Sequence, residues 1–61
     1  MELKTDKIMK ELKRLGKSQA WLARQIGTSR AALHYRLKHR LIVGVEDVAK
    51  VLDYEPKDLI R

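Results

Sequence analysis

Apolar residues recur at three- and four-residue intervals along most of this chain, and the intervals break at glycine, serine and proline. Ile8, Leu12 and Leu15, with Met9 at the edge, form the inward stripe of a first helix predicted over residues 5–15; Lys7, Lys10, Glu11, Lys13 and Arg14 face out. Residues 1–4 read as a loose lead-in, and Thr5 or Asp6 is placed to cap this helix. Gly16 ends it. A second helix, over residues 18–26, puts Leu22, Ala23 and Ile26 on one face and is capped by Ser18; Trp21 stands where the Glu or Gln of a capping box would be, so only half the box is present. Gly27 supplies a left-handed turn, and Ser29 caps a third helix over 29–38 whose Leu33 and Leu37 face the second. Ala23 is small where a larger side chain would push the two apart.

Beyond Lys38 the segment HRLIVG, residues 39–44, has strand-like composition but no second strand to pair with, and is read as a loop. One or two of Leu41, Ile42 and Val43 are expected to cover the core; any left exposed implies a partner protein, most simply a second copy. A fourth helix over 45–52 turns Val45, Val48, Ala49 and Leu52 inward, and Asp53 ends it in a left-handed turn that Asp tolerates better than most residues. Tyr54 packs its ring on the core, and Pro56 opens a last short helix over 56–60. The pattern predicts an all-α, compact five-helix fold.

Sixty-one residues make a single domain near the lower limit for independent folding. Without cysteine there is no disulfide framework, thiolate metal site or cysteine nucleophile, and stability rests on packing and caps. Neither a membrane span nor a secretion signal is evident, so the expectation is a cytoplasmic protein with no membrane association. Charge changes the picture more. The formal net charge is +6, and no acidic residue lies between Glu11 and Glu46. That interval holds Lys13, Arg14, Lys17, Arg24, Arg30, Arg36, Lys38 and Arg40, so one side of the molecule should draw a polyanion. Ala31, His34, Tyr35 and Lys38 point away from the packed side of the third helix with Arg30 on its flank, a mixture of small, aromatic and basic groups suited to a DNA groove. Trp21 either closes the edge of the core or lies beside a nucleic-acid backbone or subunit contact. His34 and His39 are turned apart on a helix and have no third ligand, so no metal and no cofactor are expected.

The stretch SQAWLARQIGTSRAAL resembles the phage repressor and Cro-like (XRE-type, lambda-repressor-like) helix-turn-helix family, through Gln19, Leu22, Ala23, Ile26, Gly27 and Ser29. A second block, VEDVAKVLDYEPKDLI, is similar to the family's fourth helix, turn and fifth helix. The sequence departs from it in three places. Arg36 stands where an apolar residue is usual, Leu12 and Leu37 replace an Arg and Glu that pair between the first and third helices, and Asp53 replaces glycine. The Leu12–Leu37 exchange turns an ion pair into an apolar contact, which is commonly tolerated.

The resemblance implies duplex DNA recognition with the third helix in the major groove. Ser29, Arg30, Ala31, His34 and Tyr35 match groove-facing positions, with Arg30 suited to guanine O6 and N7 and Ala31 to a thymine methyl. Gln19 matches a phosphate-binding position, and Lys17, Lys38, His39 and Arg40 are expected to hold the backbone. The expected activity is that of a repressor-like regulator on a roughly palindromic operator, acting as a homodimer with Leu41, Ile42 and Val43 as candidate contacts and without a small-molecule effector. The alternative is an antitoxin-like, partner-binding domain with secondary DNA binding. No catalytic constellation is evident.

Overall fold

The computed structural model describes all residues, Met1–Arg61. It is all-α, with helices α1 (Thr5–Leu15), α2 (Gln19–Ile26), α3 (Arg30–Lys38) and α4 (Val45–Leu52), followed by a 3-10 helix at Pro56–Leu59. Helix ends fall where local chemistry places them. Gly16 and Gly27 both take left-handed backbone with open space around them, and each returns its N–H to the preceding helix. Asp53 closes α4 in the same conformation at φ 63°.

The core is one cluster drawn from every element: Leu3, Ile8, Leu12, Leu22, Ala23, Leu33, Leu37, Val45, Val48, Ala49, Leu52 and Leu59. Burying each of its larger aliphatic side chains contributes about 1.5–3 kcal/mol, against the entropy of ordering the chain. Trp21, Ile26, Ile42, Val51, Tyr54 and Ile60 pack around its rim. Trp21 thus closes a core edge, as one of its two readings required. Leu12 and Leu37 are both buried in this one core.

Several expectations are corrected. The last segment is a four-residue 3-10 helix, because Ile60 has left helical geometry to pair in extended conformation with Leu3. Residues 1–4 are accordingly no loose lead-in. Glu2 and Arg61 exchange backbone hydrogen bonds at 3.1 and 2.7 Å, and Lys4 N–H donates to the Leu59 carbonyl at 2.8 Å. Neither Thr5 nor Asp6 caps α1: Lys4 is the cap residue and offers no side-chain bond, while the Thr5 hydroxyl is committed to the Leu37 carbonyl. Leu15 is 39% exposed rather than inward, since the chain turns away at Gly16 before anything covers it. Glu11, expected outside, is buried beneath Tyr54 and Arg14.

Candidate nucleic-acid interface

The α2–α3 pair sets the geometry. Ser18 Oγ accepts the Trp21 N–H at 3.1 Å, and Ser29 Oγ accepts the Ala32 N–H at 3.0 Å. Each cap leaves the first two N–H groups of its helix, those of Gln19 and Ala20 and of Arg30 and Ala31, without a partner in the chain. Two positive helix ends therefore face outward on one side.

Leu33 and Leu37 root α3 in the core, so Arg30, Ala31, His34, Tyr35 and Lys38 are all exposed, as is Ser29 before them. Arg30, Ala31 and His34 line an open concavity of about 490 Å³. A second, of about 400 Å³, runs between α1 and the starts of α2 and α3, with Lys13, Lys17, Ser18, Gln19 and Arg30 on its walls beside Met9 and Leu12. Arg30 stands at the junction of the two. Tyr35 is 58% exposed and its ring lies 4.3 Å, centroid to centroid, from that of His39 at an angle of 46°. It does not fold back onto the loop at Leu41–Val43.

Gln19 spans three helices. Its Nε2 donates to Met9 Sδ at 3.4 Å and its Oε1 lies 3.2 Å from His34 Nδ1. Lys17 Nζ sits 5.4 Å from the centroid of the Trp21 ring, with the cation toward solvent. Of the residues expected to hold a backbone, Lys17 and Gln19 gather beside Arg30, and Lys38 and His39 close α3. Arg40 is set apart. Its backbone is left-handed at φ 54°, its carbonyl accepts the Leu3 N–H, and its charge acts on Asp6 at the start of α1.

Ion pairs engage Arg14 with Glu11, and Arg61 with Glu2 and Asp6. Lys13, Lys17, Arg24, Arg30, Arg36, Lys38 and Arg40 enter none. The Arg14 guanidinium bonded to Glu11 holds that carboxyl below its ordinary value against the opposing effect of burial, and the Tyr54 hydroxyl, donating at 3.1 Å, adds to the lowering. Each donor's own bond to Glu11 in turn raises its value, that of Arg14 and that of Tyr54. Desolvation pushes the Asp6 carboxyl up, but backbone N–H groups and the charges of Arg61 and Arg40 together bring it below the ordinary value. Of the acidic residues, Glu2, Asp6 and Glu11 are thus engaged by arginine.

Two features of the site were not read from the sequence. Lys13, which the sequence places in the acid-free interval and on the outer side of α1, joins the Lys17–Arg30 concavity. Arg36 is half-buried: its Nη1 lies 2.8 Å from where a Cβ on Gly44 would be, so its side chain folds over the loop glycine. Of the three apolar loop residues, Ile42 covers the core, whereas Leu41 and Val43 stay 36% and 62% exposed. No group of three or more His, Asp or Glu side chains is arranged to hold a metal ion, and no helix is long and apolar enough to cross a membrane.

No family model matches this chain, and neither a curated protein nor a solved structure matches it.

Proposed function

We propose that this protein is a sequence-specific double-stranded-DNA-binding regulator of transcription, in which α2 and α3 act as a helix-turn-helix. The observation that carries this is the exposed α3 face of Arg30, Ala31, His34 and Tyr35, edged by unpaired Lys13, Lys17 and Lys38 and free of carboxylates. In this reading α3 enters the major groove with its N-terminal end foremost. The unpartnered N–H groups of Gln19 and Ala20, with Lys17, seat one phosphate, and Lys38 and His39 seat another farther along. A cation-lined, acid-free face lowers its free energy next to a polyanion by releasing condensed counterions, so binding is steeply salt-dependent. The protein acts as a repressor by occupying a roughly palindromic operator as a homodimer, with half-sites about 34–36 Å apart.

Selection from random duplex DNA at physiological salt tests this. The expected product is a short, twofold-related sequence; equal retention of all duplexes overturns it.

The exposure of Leu41 and Val43 beside this face favours one further reading, an antitoxin-like domain whose main partner is a protein. Val43→Asp discriminates, because Val43 lies outside the core. Loss of self-association with retained half-site binding supports the homodimer, and loss of a stoichiometric co-purifying protein supports the partner-binding domain.

A further inference from the structure

One side chain on the α3 face has its hydrogen-bonding character set from another helix. Gln19 Nε2 donates to Met9 Sδ at 3.4 Å, and Gln19 Oε1 lies 3.2 Å from His34 Nδ1. A thioether sulfur carries no hydrogen and can only accept, so the amide NH2 is the end turned toward Met9. The amide oxygen therefore faces His34. That oxygen has no hydrogen either, so a hydrogen bond between them requires the hydrogen on Nδ1. A neutral imidazole carries a single ring N–H, which leaves Nε2 with a bare lone pair. Gln19 is half-buried at the first turn of α2, whereas His34 is exposed and lines the concavity with Arg30 and Ala31.

We infer that Gln19 is a positioning residue that presents His34 to DNA as a hydrogen-bond acceptor, so that His34 selects a base bearing an exocyclic amine, adenine through N6 or cytosine through N4. The inference rests on the DNA-reading function proposed above. In the major groove guanine offers N7 and O6 and thymine offers O4, all acceptors, and a bare imidazole nitrogen opposite any of them is repelled. Arg30, one turn earlier on α3, has donors only and so the opposite preference. The two residues together distinguish a guanine-type edge from an amine-bearing edge within one half-site.

Two measurements test this. Long-range nitrogen–proton NMR correlation of the free protein should find His34 with its hydrogen on Nδ1, and Gln19→Ala should populate the other tautomer. Random-duplex selection with the parent protein should give one position per half-site restricted to adenine or cytosine. His34→Ala should free that position alone. Gln19→Ala should admit guanine or thymine there. Replacing the selected adenine by purine, or cytosine by pyrimidin-2-one, should weaken parent binding about fivefold, the worth of one neutral hydrogen bond, and leave His34→Ala unaffected. A purely structural Gln19 lowers affinity for every duplex equally and moves no base preference, which overturns the inference, as does a hydrogen found on Nε2. If the parent enriches no sequence at all, the DNA-reading function fails and this falls with it; if it enriches one that is indifferent to His34, only this inference fails.

Discussion

The Thr5 hydroxyl donates a 2.6 Å hydrogen bond to the carbonyl of Leu37, tying the first turn of α1 to the last turn of α3 across 32 residues of sequence. The contact fixes the end of α3 opposite the one that carries Arg30. Thr5→Val keeps the shape and removes the donor, and should cost about 1 kcal/mol, or about 4–8 °C in Tm for a domain of this size. Thermal unfolding followed by circular dichroism measures it, and Thr5→Ser should recover most of the loss.

Leu3 is 3% exposed and held between Ile60 and Arg40, with its N–H on the Arg40 carbonyl at 2.9 Å. Leu3→Ala should therefore behave as a core truncation and cost about 2–5 kcal/mol. Folded stability runs at roughly 0.05–0.15 kcal/mol per residue, so this consumes much of what a chain of this length has. Urea unfolding should show a midpoint far below that of the parent; a change no larger than that of Met1→Ala would mean that the paired termini contribute nothing.

The contrast between Leu3 and Leu33 explains what was legible in the sequence. Leu33 belongs to a periodic stripe, and its cap, turn and partner face all lie within a few residues, so local chemistry announces it. Leu3 is buried only because the far end of the chain returns beside it, and no local period records that. Glu11 reads as an outward residue for a related reason: its partners are Arg14, one turn away, and Tyr54, 43 residues on, and only the fold brings the latter. All four helices and both serine caps followed from the pattern, as did the exposed face of α3. The Gln19–His34 contact did not, because it depends on how deeply α2 sits against α3.

Glu11 and Tyr54, together with the lowered carboxyl of Asp6, make the stability of the fold depend on pH. Glu11 has a folded pKa below its ordinary 4.5, so its stabilising effect is complete above that value and is lost as the pH falls through the folded pKa. Tyr54 has a folded pKa above its ordinary 10.0, so its effect is present below pH 10.0 and is lost as the pH rises through the raised value. Tm measured across the pH range should fall at both ends. Glu11→Gln should lower the neutral-pH Tm and flatten the acid limb below pH 4.5, whereas Tyr54→Phe should flatten the alkaline limb and leave much of the acid one. An acid limb unchanged in Glu11→Gln would assign it to other carboxylates.

Gly27 and Gly44 share left-handed backbone at φ 75° and 73° but differ in surroundings. A Cβ at Gly27 meets open space, so Gly27→Ala should cost only the backbone term, about 1–2 kcal/mol. At Gly44 the same Cβ would lie 2.8 Å from Arg36 Nη1 and displace the guanidinium from the loop. Gly44→Ala should be the more damaging, and the excess should vanish in an Arg36→Ala background. A double-mutant cycle in urea measures that coupling, and simple additivity of the two substitutions would show that Arg36 does not rest on the loop.

The charge arrangement makes the last prediction specific to residue and salt. If α3 enters a major groove, Arg30 reaches a base edge while Lys17 and Lys38 reach phosphates, and the two roles respond differently to truncation. Lys17→Ala and Lys38→Ala should each weaken all duplexes by similar factors and reduce the slope of log K against log salt by about 1. Arg30→Ala should cost about 1–3 kcal/mol on the selected site, nearly nothing on unrelated DNA, and relax the preference at one base pair. Lys50→Ala supplies the control, since Lys50 is exposed on α4 within the acidic half of the chain, beside Glu46, Asp47 and Asp53. Fluorescence anisotropy at several salt concentrations separates these outcomes. A Lys50→Ala slope that changes as much as that of Lys38→Ala would place the DNA on no particular face, whereas an unchanged one, with Lys17 and Lys38 each removing one contact, locates the duplex against the carboxylate-free side of α2 and α3.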